Sequence, residues 1–337
     1  MKSYYLQAGN DSLMRLFKIL FLIFSAIQAF GQQTVQYSMY MLNPYHYNTA
    51  YSGLDESLSL TAVFRKQWTG FNGSPIGGNF NVHLPIEYLN SGFGLAIEFD
   101  KIGAYENLQG KFSYNYIIDL NTNYKLSLGG AFRYLQRSVN GELLRAPDGD
   151  YENGAILSHN DNLIPFSKVS SNAFTCDAGI YLKSNNLDLG MAVQHLTNPT
   201  IKLDANVFMQ QFFIRNFIFN FSYLIEINEL FSLKPTLLLK TDFIKVQPEL
   251  GIIFDYRNNI FGGISLRGYD EKSLDAFMIM AGLKIANKFT LAYAYDIGIS
   301  GLNNFHSGSH EIILNYNLRE PIGKELPSKV IYNPRFF

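Results

Sequence analysis

Across residues 58–319 the chain returns to one pattern, a large apolar side chain at every second position with a small or polar one between. Leu58, Leu60 and Phe64 alternate with Ser57, Ser59, Thr61 and Arg65, and Leu187, Leu189, Met191 and Val193 alternate with Asp188, Gly190, Ala192 and Gln194. The clearest cases come late: Phe289, Leu291, Tyr293 and Tyr295, then Ile312, Leu314, Tyr316 and Leu318. A period of two gives each strand one face suited to an apolar medium and one suited to a polar medium. The opening hairpin, whose second arm carries Phe80, Val82 and Leu84, cannot bury its greasy face alone. The segments predict an all-β chain of about 14 strands, an even number of the kind closed antiparallel barrels use.

The N-terminus indicates the compartment. Arg15 and Lys18 precede an apolar run over residues 19–27, and Ala29 and Gly31 sit where a signal peptidase would cut. Residues 1–31 therefore read as an export signal, with Met14 an alternative start. The apolar core, about nine residues, is far short of the roughly 20 that a spanning helix needs. No later run reaches that length, so an exported chain of this kind enters a second membrane as strands or not at all. Aromatics at 15% with charged residues at only 16% fit strands with one face in lipid. A net charge of -1 offers no basic footprint for nucleic acid. The single cysteine, Cys176, rules out an internal disulfide framework and any CxxC motif, and reads as a small strand residue.

Four stretches follow: the signal at 1–31, an irregular N-terminal segment at 32–56, a β-barrel at 57–319 and a C-terminal tail at 320–337. Short polar connections at 119–122, 183–186, 227–229, 257–259 and 286–288 alternate with generally longer ones. That asymmetry is expected of an outer-membrane barrel with short periplasmic turns and long outer loops. A two-sheet sandwich could show the alternation but has no reason for the asymmetry. In the barrel reading Arg65, Asn79, Asn81, His83, Arg133, Asp296 and Glu311 face the lumen, where water or partner charges satisfy them. The loop at 140–170 reads as polar and outside any strand. Its run of Asp148, Asp150 and Glu152 lacks the spacing of a calcium loop and has His159 where a closing glutamate would fall, so it reads as a solvated loop.

No nucleophile elbow, zinc-protease or phosphate-loop motif is present, so neither a catalytic residue nor a cofactor or metal ligand is assigned. The candidate site is instead a partner-binding one. With a periplasmic N-terminus the first strand runs outward, so Arg65 and Gln67 approach the outer rim on the lumen side, and residues 68–75 form the first outer turn. Trp68 and Phe71 offer large rigid apolar area there, beside Gly70 and Gly73. Aromatic anchors next to an arginine are the makings of a binding hot spot. The competing reading places Trp68 in the aromatic belt at the lipid interface and has Arg65 neutralise a lumen carboxylate.

The stretch Asn43-Pro44-Tyr45-His46-Tyr47-Asn48-Thr49-Ala50-Tyr51-Ser52-Gly53, followed by Arg65-Lys66-Gln67-Trp68-Thr69-Gly70-Phe71-Asn72-Gly73-Ser74-Pro75, resembles the N-terminal signature of the PorP/SprF family. His195-Leu196-Thr197-Asn198-Pro199, Lys234-Pro235, Tyr295-Asp296, Gly308-Ser309-His310-Glu311 and Asn333-Pro334-Arg335-Phe336-Phe337 continue the resemblance in order. One departure is Asn48-Thr49-Ala50, where the family more often has Asn-Pro-Ala. The resemblance implies an outer-membrane barrel of a Gram-negative bacterium, in lipid and beside other type IX secretion components. It would help export or surface-anchor cargo carrying a C-terminal sorting domain, gliding adhesins being one such cargo class. A barrel lumen lined by Gly, Ala, Ser and Asn also permits a second reading, a passive or hydrophobic-solute transport barrel.

Overall fold

The structure is a computed structural model that describes residues 35–152, 155–161, 164–203, 210–268, 275–299 and 307–320. The expected signal and most of the tail lie outside the described residues. Fifteen strands share one antiparallel sheet; one of them, the stub Ile225–Glu226, lies outside the ring and leaves fourteen in it. In chain order the ring strands are β1 (Ser59–Lys66), β2 (Ile76–Ile86), β3 (Ser91–Ile102), β4 (Tyr105–Asp119), β5 (Tyr124–Asn140), β6 (Lys168–Ser184) and β7 (Leu187–Gln194). The remaining seven are β8 (Asn216–Tyr223), β9 (Phe231–Thr241), β10 (Val246–Tyr256), β11 (Ile260–Arg267), β12 (Ala276–Ile285), β13 (Phe289–Gly298) and β14 (Ser309–Asn317). Each pairs with its sequence neighbour, and β1 closes the ring on β14 from Ser59↔Asn317 to Lys66↔His310. Closure removes every free edge, which is what lets a sheet sit in lipid.

Alternation sorts the two faces as the period of two requires. Phe64, Leu95, Phe112, Phe132, Met191 and Leu314 stand exposed on the outside. Asn81, Ser113, Asn115, Ser127, Asp177 and Glu311 are buried on the inside. Midway along β12 and β13 the inner face is apolar instead, with Met278, Met280, Ala292 and Ala294 all buried. Left-handed backbone at Arg257, Asn258, Ala286 and Asn287 makes the short turns of the inner rim, as tight hairpins demand.

Two expectations need correction. The segment expected as one strand over 211–227 divides, and only Asn216–Tyr223 enters the ring. Gln210–Phe212 pairs instead with Thr200–Lys202 in a separate hairpin. The reason lies in β5 and β6. At 17 residues each they exceed the 9–11 or so that cross a bilayer. Their projecting inner faces carry Leu135, Val139, Val169 and Ala173, which Ile201, Leu203 and Phe213 from this hairpin region cover. The loop at 140–170 is also not strand-free. It folds a small hairpin, Asp150–Glu152 with Ala155–Ser158, over a buried His159 that contacts Tyr151 and Phe166.

The described residues from Tyr37 onward form one compact unit, and within it the irregular segment, from Tyr37 on, lies buried inside the ring. Tyr40–Leu42, Pro44–Tyr47 and Thr49–Tyr51 are single helical turns strung together. Asn48, where the family prefers a following proline, still fixes its turn because its side chain accepts the Ala50 N–H (3.0 Å). Tyr45, Ala50, Tyr51 and Leu54 pack with Ala96 and Tyr181 of the wall, and Tyr40 and Tyr47 pack with Ala192, Ile218 and Leu238. The lumen partner is thus the chain's own N-terminal segment.

Candidate functional site

The segment at 37–57 descends through the lumen, held at three levels. At the outer level the wall supplies two guanidiniums and three carboxylates. Arg65 meets Asp296 (2.5 Å) and Glu311 (3.0 Å), while Arg267 meets Glu249 (3.0 Å). Ser38 sits among them, accepting from Arg65 Nη1 (2.7 Å) and Arg267 Nη2 (3.0 Å) and donating to Asp296 (2.6 Å). The backbone N–H groups of Ser38 and Met39 donate to the two oxygens of Glu311 (2.7 and 2.8 Å). Carboxylates outnumber cations by one in this cluster, and the segment's N–H groups help to offset the surplus.

At the middle level the Tyr45 hydroxyl bonds with that of Ser113 (2.7 Å), and Lys111 donates to the Tyr45 carbonyl (2.8 Å). The Asn48 amide donates to the carbonyls of Ile180 (3.0 Å) and Met191 (3.1 Å) on two adjacent strands. These approaches are close enough that only glycine fits on the wall. A Cβ on Gly92 would overlap the Ser52 carbonyl, and one on Gly179 would overlap the Asn48 side chain. His46 lies 3.2 Å from Glu98.

At the inner level Asp55 accepts from the Tyr51 hydroxyl (2.7 Å) and from Lys183 (3.2 Å), while the Gly53 N–H donates to His83 Nδ1 (3.2 Å). Burial opposes charge on Asp55, yet Lys183, His83 and the Tyr51 hydroxyl outweigh it and hold the carboxyl well below the usual range. A carboxyl depressed in this way adds stability above its unfolded pKa of about 3.9 and loses that contribution only as pH falls through the lower folded value. Near neutral pH the contact stays charged. Beneath the segment a cavity of about 490 Å³ reaches the inner-rim turns at Thr122, Asn123, Ser184 and Asn185.

The four residues singled out in the sequence fall at different depths. Arg65 is 3% exposed and belongs to the outer cluster beneath the rim. Gln67 is half-buried, its N–H bonded to the Pro75 carbonyl (2.9 Å). Trp68 is half-buried with left-handed backbone, and its N–H donates to the Ser309 hydroxyl (3.2 Å). Phe71 is 54% exposed. The turn that carries it is tied on both sides. Thr69 and the β13–β14 connection exchange backbone bonds, Thr69 N–H to Gly308 (2.8 Å) and Ser307 N–H to Thr69 (2.7 Å). Gly103 N–H reaches the Gly73 carbonyl (3.1 Å) from the β3–β4 turn.

Sequence reasoning missed Ser38, Tyr45, Asn48, Ser52 and Asp55 as luminal residues. A signal was available in the inward glycines of neighbouring strands, Gly92 and Gly94, Gly129, Gly179 and Gly190, since strand glycines mark a close approach of another backbone. Nor is the lumen simply an open, water-filled pore, because the segment crosses it from β14 to β4 and β6.

A closed ring with apolar residues outside and a polar, internally plugged lumen is an outer-membrane β-barrel. The chain belongs to the PorP/SprF family, whose model, described as type IX secretion system membrane protein PorP/SprF, matches residues 29–316. It is therefore a type IX secretion membrane protein of the Gram-negative outer membrane. No protein of curated function matches the sequence. Among solved structures it is similar to the monoaromatic hydrocarbon channel CymD, at 11% identity over 84% of this chain and 92% of that one, TM-score 0.46. It is also similar to the Pseudomonas putida toluene transporter TodX, at 6% identity over 78% and 89%, TM-score 0.43. The outer membrane protein Omp33 of Acinetobacter baumannii matches at 6% identity over 77% and 97%, TM-score 0.42.

Proposed function

We propose that the barrel works by binding, without a catalytic step: it helps export, or holds at the cell surface, a cargo protein bearing a C-terminal sorting domain. A gliding adhesin would be one such cargo. The observation that supports this reading is Phe71, an exposed aromatic on a turn tied by backbone bonds to two neighbouring turns. A pre-ordered apolar anchor loses little entropy on binding, which is what a hot spot requires. Trp68, half-buried in the same turn, is the second aromatic there. Arg65 and Gln67 serve as lumen-side supports of the same rim, and other components of the secretion system would complete the assembly.

The test is display of the cognate cargo on cells carrying Trp68→Ala with Phe71→Ala. Loss of two aromatic anchors is expected to weaken capture by about 2 kcal/mol or more, leaving little cargo at the surface while barrel yield is unchanged. Normal display per folded barrel would rule the reading out. A fall in display that only tracks barrel yield would assign both residues to the interfacial belt.

A further inference from the structure

We propose that the barrel is also a gated conduit for ions and small polar solutes, in which the segment at 37–57 is the gate and leaves the lumen through its inner mouth. The ring holds together without it. Every strand from β1 to β14 is paired on both sides with another ring strand, and no residue of the segment contributes to those ladders. Its departure therefore creates no free edge in lipid.

Besides the aromatic packing already described, which holds it seated most of the time, the segment meets the wall through contacts that water can replace. Ser38, Asn43, Tyr45, Asn48, Ser52 and Ser57 all meet the wall through hydrogen bonds. An exchange of such bonds with water changes the free energy little per bond. The wall uncovered beneath them is polar, with Asn79, Asn81, Ser113 and Asn115 among its buried residues, so it tolerates hydration. The route out is also present. The segment joins β1 on the inner side, where Ser57 bonds to Asn317 (2.5 Å), through a bend in which Gly53 (φ 79°) and Glu56 (φ 58°) take left-handed backbone. The 490 Å³ cavity lies below it on that same side. An eight-strand ring is filled by its own side chains, whereas rings of about 16 to 18 strands leave an aqueous channel, and fourteen strands without a plug fall toward the second case.

Single-channel current through the purified full chain in planar bilayers, with potassium chloride on both sides, decides the matter. The lock is Ser52→Cys with Asn115→Cys in a Cys176→Ser background, positions whose polar atoms stand 2.5 Å apart. Wild type is expected to be mostly closed with brief openings. Asp55→Asn, which removes the charged contact with Lys183, is expected to raise the open fraction about tenfold. The oxidised lock should not open, and reduction should restore openings. A variant lacking residues 37–56 should conduct steadily. The proposal fails if the oxidised lock opens as often as the reduced form or if Asp55→Asn leaves the open fraction unchanged. It fails equally if the shortened variant is silent while its unboiled gel mobility shows a folded barrel. Should that variant not fold, the lock alone still decides. None of these currents depends on cargo, so the outcome is separate from that of the display experiment.

Discussion

Arg65→Met is expected to cost the barrel about 3 to 5 kcal/mol, the usual penalty for leaving buried charge without its partner. Arg65 is 3% exposed, and the carboxylates it neutralises are as deeply placed, Asp296 at 3% and Glu311 at 1% side-chain exposure. Without the guanidinium, Glu311 keeps only the N–H groups of Ser38 and Met39, and Asp296 keeps the Ser38 hydroxyl and a distant Arg267 at 3.8 Å. Water cannot readily reach either carboxylate while the segment is seated. The measurement is urea unfolding followed by the mobility of unboiled protein on gels, with a lower midpoint expected for Arg65→Met. Adding Glu311→Gln should recover part of the loss, because it removes one of the two uncompensated charges. A double variant no better than the single one would show that Arg65 acts through packing and not through charge.

Gly92→Ala should destabilise the seated form by about 1 to 3 kcal/mol, the range found when a filled interior receives an extra group. The added methyl has nowhere to go. It meets the Ser52 carbonyl, which is backbone, and the Asn115 side chain that bonds Ser52 and Ala50. Gly110→Ala is the matched control, since a Cβ there meets nothing within 4 Å. Strand propensity favours alanine at both sites, so a difference between them isolates the fit of the segment against the wall. Limited proteolysis near residue 54 reports it: cleavage should be faster in Gly92→Ala and unchanged in Gly110→Ala. Equal protection in both would mean that the wall, not the segment, absorbs the methyl.

The barrel was legible in the order of residues alone. Period-two alternation in a chain with no helix-length apolar run leaves few ways to satisfy every backbone group in lipid, and short turns at every second connection give the ring two unlike rims. The lumen-facing positions of Arg65, Asn81, His83, Arg133, Asp296 and Glu311 were legible for the same reason, because register fixes the face. The segment at 37–57 was not legible, since single helical turns have no period to read and their partners lie up to 273 residues away in the chain. Nor could alternation show that Arg65 is shared between Asp296, Glu311 and Ser38 of that segment. Periodicity reports which side of a wall a residue faces. What occupies the space on that side depends on ring closure, which only the tertiary structure brings about.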